Sequence, residues 1–357
     1  MKRYVALLLA VCMILSVAAL AGCGKKVVPV ENGNPAPVSG AESAVDSAPA
    51  SDNAESTEAA AVSTVTLNPT AFTAKAGDYE LSFEPIALGG NTGGAGSHDF
   101  CGDYSEGKYY LSDKNAKKVF VYTINGTTAD LEKEYDTETG FEKITANHNG
   151  DILLSQGIFE AYELLRDGNF DKLPFKHDLE CSKKEDFAVL TWVNADPTVI
   201  HNGEEGPWVF ENINDDEKRV GKLSMVFDCE IVGDDVLIGG TYMDNGEENY
   251  RIGIFDYDGN EKAMSAAADP VGYTALYETD KGVISANVSK LYLHSGDLEP
   301  VGQLKDLKTE AGFDSADVST FWVKDFCDDG DGNLLMLVYV KKTDDTIEPL
   351  LYKVTGF

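Results

Sequence analysis

The sequence predicts an all-β fold built from one repeated unit of short antiparallel strands. Three observations predict it. Short apolar segments recur at a near-constant interval through residues 66–357. Each is preceded by a polar or glycine-bearing turn, and most are followed by a second short strand. No stretch of this region carries a long apolar pattern of period 3.6 with helix caps.

The start of the 357-residue chain is of another kind. Lys2 and Arg3 form a short positive segment, and Tyr4 to Ala19 form an apolar run broken only by Ser16. Leu20-Ala21-Gly22-Cys23 follows. A charged start, a short apolar core and small residues before a cut site describe a secretory signal. The 16-residue run is short of the roughly 20 residues that a spanning helix needs. The alternatives are a plain signal peptide or a single spanning helix. The placing of Leu20-Ala21-Gly22-Cys23 at the end of the apolar core favours a third reading, because the segment resembles the lipobox of bacterial lipoproteins. That resemblance implies a signal peptide over residues 1–22 and cleavage between Gly22 and Cys23. It further implies palmitate-type acylation of Cys23 and a lipid anchor at the extracytoplasmic face of the cell membrane. Several acyl chains anchor stably, because each buried methylene contributes about 0.8 kcal/mol.

Residues 23–65 read as a lipidated, disordered, acidic tether. From Gly24 to Thr64 there is no Phe, Trp, Tyr, Leu, Ile or Met, so the segment has too little apolar surface to offset the entropy of ordering. Six acids face Lys25 and Lys26, and four prolines stiffen the segment, which favours an extended spacer.

The whole chain carries 29 Lys+Arg against 61 Asp+Glu, a net charge of −32. Residues 1–65 hold 4 of the bases and 6 of the acids, so the acidity belongs to residues 66–357. This balance excludes sequence-independent nucleic-acid binding, which needs phosphates neutralised by Lys and Arg. It also argues against a basic patch for anionic lipid. A hydrophobic content of 43% is ordinary for a folded chain.

Within residues 66–357 six copies of the unit align on Tyr109, Ile152, Ala188, Val236, Val283 and Leu334. Their intervals are 43, 36, 48, 47 and 51 residues, a mean of 45. Turns such as Ser105-Glu106-Gly107, Asn149-Gly150 and Gly330-Asp331-Gly332 precede them. Four short strands in about 45 residues is the signature of a propeller blade. The sequence therefore predicts a β-propeller of six blades, each of four antiparallel strands, with paired β-sandwich domains as the alternative. In this architecture it resembles the broad class of bacterial β-propeller lipoproteins, without a WD dipeptide or a kelch double-glycine pattern. The third copy, around Asp178 to Asp216, fits least well. The last copy stops at Phe357 after its third strand, and Tyr79 to Ile86 reads as a lone strand ahead of the first copy. The lone strand is expected to supply the missing outer strand and close the ring, leaving no open edge.

Four cysteines, Cys101, Cys181, Cys229 and Cys327, lie seven or eight residues before an aligned strand, at one equivalent position on the innermost strand. Disulfides or a metal site are the functional alternatives. Free, buried, gap-filling side chains are the favoured reading, because equivalent positions in different blades lie beyond the roughly 7 Å that a bridge spans. No C-x-x-C pair is present to suggest zinc. Asp328-Asp329-Gly330-Asp331-Gly332-Asn333 resembles a calcium-loop fragment but lacks the bidentate Glu, so a hairpin turn is expected, with calcium as the alternative. Gly89 to His98 reads as a flexible loop.

No H-E-x-x-H, G-x-S-x-G or Walker A motif occurs, and no catalytic or metal-binding residue is assigned. Propellers bind ligands over the channel, on the face made by outer-to-inner and second-to-third strand connections. His98, Asp99, His177, Trp192, Tyr242, Tyr273 and Trp322 lie in or beside those connections and form the expected ligand-binding set. The expected function is an anchored propeller that binds an envelope protein or an extracellular glycan or peptide. A glycan hydrolase or lyase on the same scaffold is the alternative.

Overall fold

The computed structural model describes residues 65–90, 92–146, 150–155, 162–166, 168–172, 188–193, 196–203, 206–210, 223–232, 235–244, 246–256, 260–267 and 275–357. They form a β-propeller of six antiparallel blades in five hydrogen-bonded sheets, the first and last blades being joined into one sheet. Two strands, β1 (Phe72–Ala76) and β2 (Tyr79–Leu88), and the short β3 (Gly94–Ala95) precede the first blade. Blade 1 is β4 (Phe100–Ser105), β5 (Lys108–Asp113), β6 (Lys118–Asn125) and β7 (Thr128–Asp136). Blade 2 is β8 (Lys143–Ala146), β9 (Ile152–Ser155), β10 (Tyr162–Arg166) and β11 (Asn169–Lys172). Blade 3 has three strands among the described residues: β12 (Ala188–Val193), β13 (Asp196–Gly203) and β14 (Gly206–Phe210). Blade 4 is β15 (Leu223–Val232), β16 (Asp235–Asp244), β17 (Glu247–Asp256) and β18 (Glu261–Met264). Blade 5 is β19 (Ala275–Thr279), β20 (Gly282–Asn287), β21 (Lys290–His294) and β22 (Pro300–Leu304). Blade 6 is β23 (Val318–Asp328), β24 (Leu334–Lys342) and β25 (Thr346–Thr355).

The aligned residues Tyr109, Ile152, Val236, Val283 and Leu334 all fall in the second strand of their blade. Those strands read as unbroken apolar runs because both of their faces are covered. Leu334, Met336 and Val338 pack toward blade 5, with Ile284 and Leu293. Leu335 and Leu337 pack toward blade 1, with Leu111 and Phe120. The core is thus a series of slabs between blades. Cys327 sits in the slab between blades 6 and 1, and Cys101 in the slab between blades 1 and 2. Both are buried and free. Cys229 lies in β15, also an innermost strand, and Cys181 lies outside the described residues.

Ring closure follows the expected route. β2 pairs antiparallel with β25, from Ser82 opposite Thr355 to Ile86 opposite Leu351, and so becomes the fourth strand of blade 6. It then runs on, and Ala87 and Leu88 pair in parallel with Thr128 and Ala129 of β7. β1 folds back on β2, with Phe72 stacked on Phe83 at 4.5 Å. At its end β1 meets β22 so closely that a Cβ on Gly302 would collide with the Ala76 carbonyl. One segment therefore touches blades 5, 6 and 1. The Gly89–His98 loop, expected to be flexible, is pinned in part: Gly94 and Ala95 pair with Ile347 and Thr346 of β25. The sequence hid this because glycine carries no strand signal of its own.

Deleting residues 65–90 is expected to abolish cooperative unfolding of the propeller. Calorimetry of the deletion variant tests this, and a single sharp transition like that of the intact chain would refute the closure.

Candidate functional site

The channel is lined by the innermost strands, and these carry a recurrent acid. Asp325 of β23 accepts the Gly102 amide of β4 at 3.3 Å. Asp103 of β4 accepts the Ala146 amide of β8 at 2.7 Å. Asp228 of β15 accepts the Leu276 amide of β19 at 3.1 Å. At three junctions a carboxylate therefore bonds the backbone of the next blade. Asp228 and Asp325 each follow a β-bulge, which breaks the strand's register where the side chain turns inward. Glu230 adds a fourth acid and accepts the Glu278 amide at 2.9 Å. Lys143 of β8 reaches Asp228 at 2.5 Å, linking blade 2 to blade 4.

Burial dominates the electrostatics. It raises Asp103 to about 7, although the Ala146 and Tyr104 amides pull it down. Burial also raises Asp325, against the pull of Lys143 and with the push of Asp228, and it raises Glu230 well above the carboxylate range. Tyr109, next to this cluster, is buried with no hydrogen-bond partner on its hydroxyl. Gly102 makes room for it, since a Cβ there would collide with that hydroxyl.

The channel opens at the end where first and second strands are joined by hairpins. A cavity of about 380 Å³ lies there, lined by Asp103, Glu106, Glu230 and Asp328 together with Tyr104, Tyr277 and Phe326. No Lys or Arg is among its lining residues. Burial raises the Tyr277 hydroxyl, and Glu230 adds to the shift. The Asp328–Asn333 run forms the β23–β24 turn at this rim. Asp329 accepts the Asp331 and Asn333 amides at 2.9 and 3.0 Å and pairs with Lys353 at 3.3 Å.

The expected ligand residues distribute differently. His98 and Asp99 precede β4, at the opposite end of the channel. His98 Nδ1 donates to the buried Asp113 carboxylate at 2.6 Å, and its ring stacks on Phe100 at 5.9 Å. Asp99 accepts from Lys324 at 2.8 Å, and the Lys324 ammonium lies 4.8 Å from the centre of the Trp322 ring. His98, Asp99 and Trp322 are thus brought together, with Lys324 as the link. Tyr242 lies apart: it is buried in blade 4, donates to the Ile238 carbonyl at 3.0 Å and stacks on Phe255. Trp192 belongs to β12, and His177 and Tyr273 lie outside the described residues, as does Cys23. The channel acids Asp103, Asp228, Glu230 and Asp325 escaped sequence reasoning. Their signal was an acid within two residues of an innermost-strand cysteine, in Cys101/Asp103, Asp228/Cys229/Glu230 and Asp325/Cys327.

No protein-family model matches the chain, and no curated protein sequence matches it. Among solved structures, a streptogramin B lyase is similar at 14% identity and a TM-score of 0.44, over 77% of this chain and 97% of that one. A catalytically inactive variant of virginiamycin B lyase from Staphylococcus aureus, with quinupristin, is similar at 15% identity and a TM-score of 0.45, over 82% of this chain and 98% of that one. A functionally unknown protein from Desulfotomaculum acetoxidans is similar at 8% identity and a TM-score of 0.43, over 71% of this chain and 86% of that one. Likeness at these scores carries no argument about activity. The propeller assignment stands on the strand pairing.

Carboxyls raised by the fold hold protons that the unfolded chain has lost between about pH 4 and 7, so stability falls as pH rises through that window. The melting temperature is expected to be higher at pH 5 than at pH 8, with a smaller difference in Asp103→Asn. A pH 5 to 8 difference that is the same in this variant would contradict the assignment.

Proposed function

We propose that this is an extracytoplasmic lipoprotein whose propeller binds a basic segment of a peptide or envelope protein at the acidic channel mouth. The observation that carries the reading is the cavity of about 380 Å³ with four acids, three aromatic rings and no basic side chain among its lining residues. Ammonium and guanidinium groups are attracted to such a lining twice over, by the Glu106 and Asp328 carboxylates at its rim and by the aromatic faces. The lining hangs on the innermost strands and their hairpins, so it is held ready and loses little entropy on binding.

In this reading residues 1–22 are a signal peptide, Cys23 carries the lipid, residues 23–65 are the tether and residues 66–357 are the binding domain. The Val65 amide donates to Asp344 at 2.8 Å, in the β24–β25 turn of blade 6, at the other end of the ring from the cavity.

A second reading is supported by two carboxyls of raised pKa, Asp103 and Glu230, that share the cavity with Tyr277. Acids held protonated near neutral pH suit general-acid chemistry on a glycan. Under that reading the same mouth would cleave a glycan rather than hold a peptide.

Calorimetric titration with hexa-arginine separates the two. The binding reading predicts saturable binding at low salt, weakened at least about tenfold at 0.5 M salt and in a Glu106→Gln/Asp328→Asn double variant. No binding at low salt would contradict it.

A further inference from the structure

We infer that the His98 end of the ring carries a separate ligand site, built on Trp322, that takes an uncharged oligosaccharide. Trp322 sits on the innermost strand β23, between Phe321 and Val323, which are 3% and 0% exposed. Trp322 itself is 37% exposed. A single exposed apolar side chain needs no explanation by itself. This one differs in what surrounds it.

Lys324 stands 4.8 Å from the ring centre and is tied at 2.8 Å to Asp99 Oδ1. Asp99 is held in turn through its backbone amide, which donates to Asp113 Oδ1 at 3.4 Å. Asp113 also receives His98 Nδ1 at 2.6 Å and is 1% exposed, so the His98 ring is fixed with Nε2 as its other nitrogen. Tyr339 is the cross-strand partner of Trp322, and its ring lies 6.4 Å from Phe100, on which His98 stacks. The exposed Trp322 ring therefore carries the Lys324 ammonium over it, the Asp99 carboxylate is tied to that ammonium, and Tyr339 lies across the strand.

The charge of this set selects the ligand class. Lys324 and Asp99 offset each other, and Asp113 is buried beneath His98. An anionic ligand would meet Asp99 and a cationic one Lys324, so neither sign is favoured. A pyranose fits both features. Its apolar C–H face can lie on the indole, while its ring of hydroxyls finds donors and acceptors at the edge. This site differs from the acidic mouth in end and charge, so either can fail without the other.

The test uses the full-length protein and four probes: hexasaccharides of N-acetylglucosamine, glucose, xylose and mannose. Calorimetry is expected to show saturable binding of at least one. Trp322→Ala, and independently Lys324→Met, should each weaken that binding at least about tenfold. Asp328→Asn, at the opposite mouth, should leave it unchanged. Circular dichroism and the melting temperature show that each variant is folded. Failure of all four probes to bind would overturn the inference. So would binding untouched in both the Trp322 and Lys324 variants, or displacement of the bound saccharide by hexa-arginine.

Discussion

The ring depends on carboxylates that reach from one blade to the backbone of the next. An innermost strand pairs on one side only, and its other edge faces the channel with amides that no ladder satisfies. Asp325, Asp103 and Asp228 supply acceptors to such amides on Gly102, Ala146 and Leu276. An ionised acceptor makes a stronger hydrogen bond than a carbonyl, and leaving a buried amide unpaired costs about 1–3 kcal/mol. The same acids must be taken out of water to do this. Lys143 offsets part of that cost at Asp228, and retained protons offset part of it elsewhere.

The chemistry of the two channel ends follows. Acids gathered along the inner strands emerge at the hairpin mouth beside Glu106 and Asp328, which makes the lining of that end acidic. At the other end Lys324 is paired with Asp99, His98 is hydrogen-bonded to Asp113, and the Trp322 ring is exposed beside Lys324. The N-terminal segment holds blades 5, 6 and 1 together while the chain enters at Val65, on the side of the paired charges. Closure of the ring and the polarity of its ends are thus set by the same few segments.

Much of the fold was legible because second strands are buried on both faces. That makes Asn333-Leu334-Leu335-Met336 and its counterparts stand out as short apolar runs at a blade's spacing. The closing strand was legible because the last blade lacked one and Tyr79–Ile86 alternates. The pairing of Gly94-Ala95 was not, since two residues without side-chain pattern carry no strand signal. At the site, sequence placed His98, Asp99 and Trp322 near one end but could not find Lys324, whose position depends on a bulge in β23. The channel acids were obscured by number. With 61 acids in the chain, four that turn inward look like the rest until the neighbouring cysteine marks the strand.

The measurement that tests this account most directly is native-state hydrogen exchange at the Gly102, Ala146 and Leu276 amides. The account predicts that all three exchange only through global unfolding, as slowly as amides inside the blade ladders. It predicts further that Asp325→Ala releases Gly102 while Ala146 stays protected. Rapid exchange of all three in the intact protein, or protection of Gly102 unchanged in Asp325→Ala, would show that the ring is held without these carboxylates.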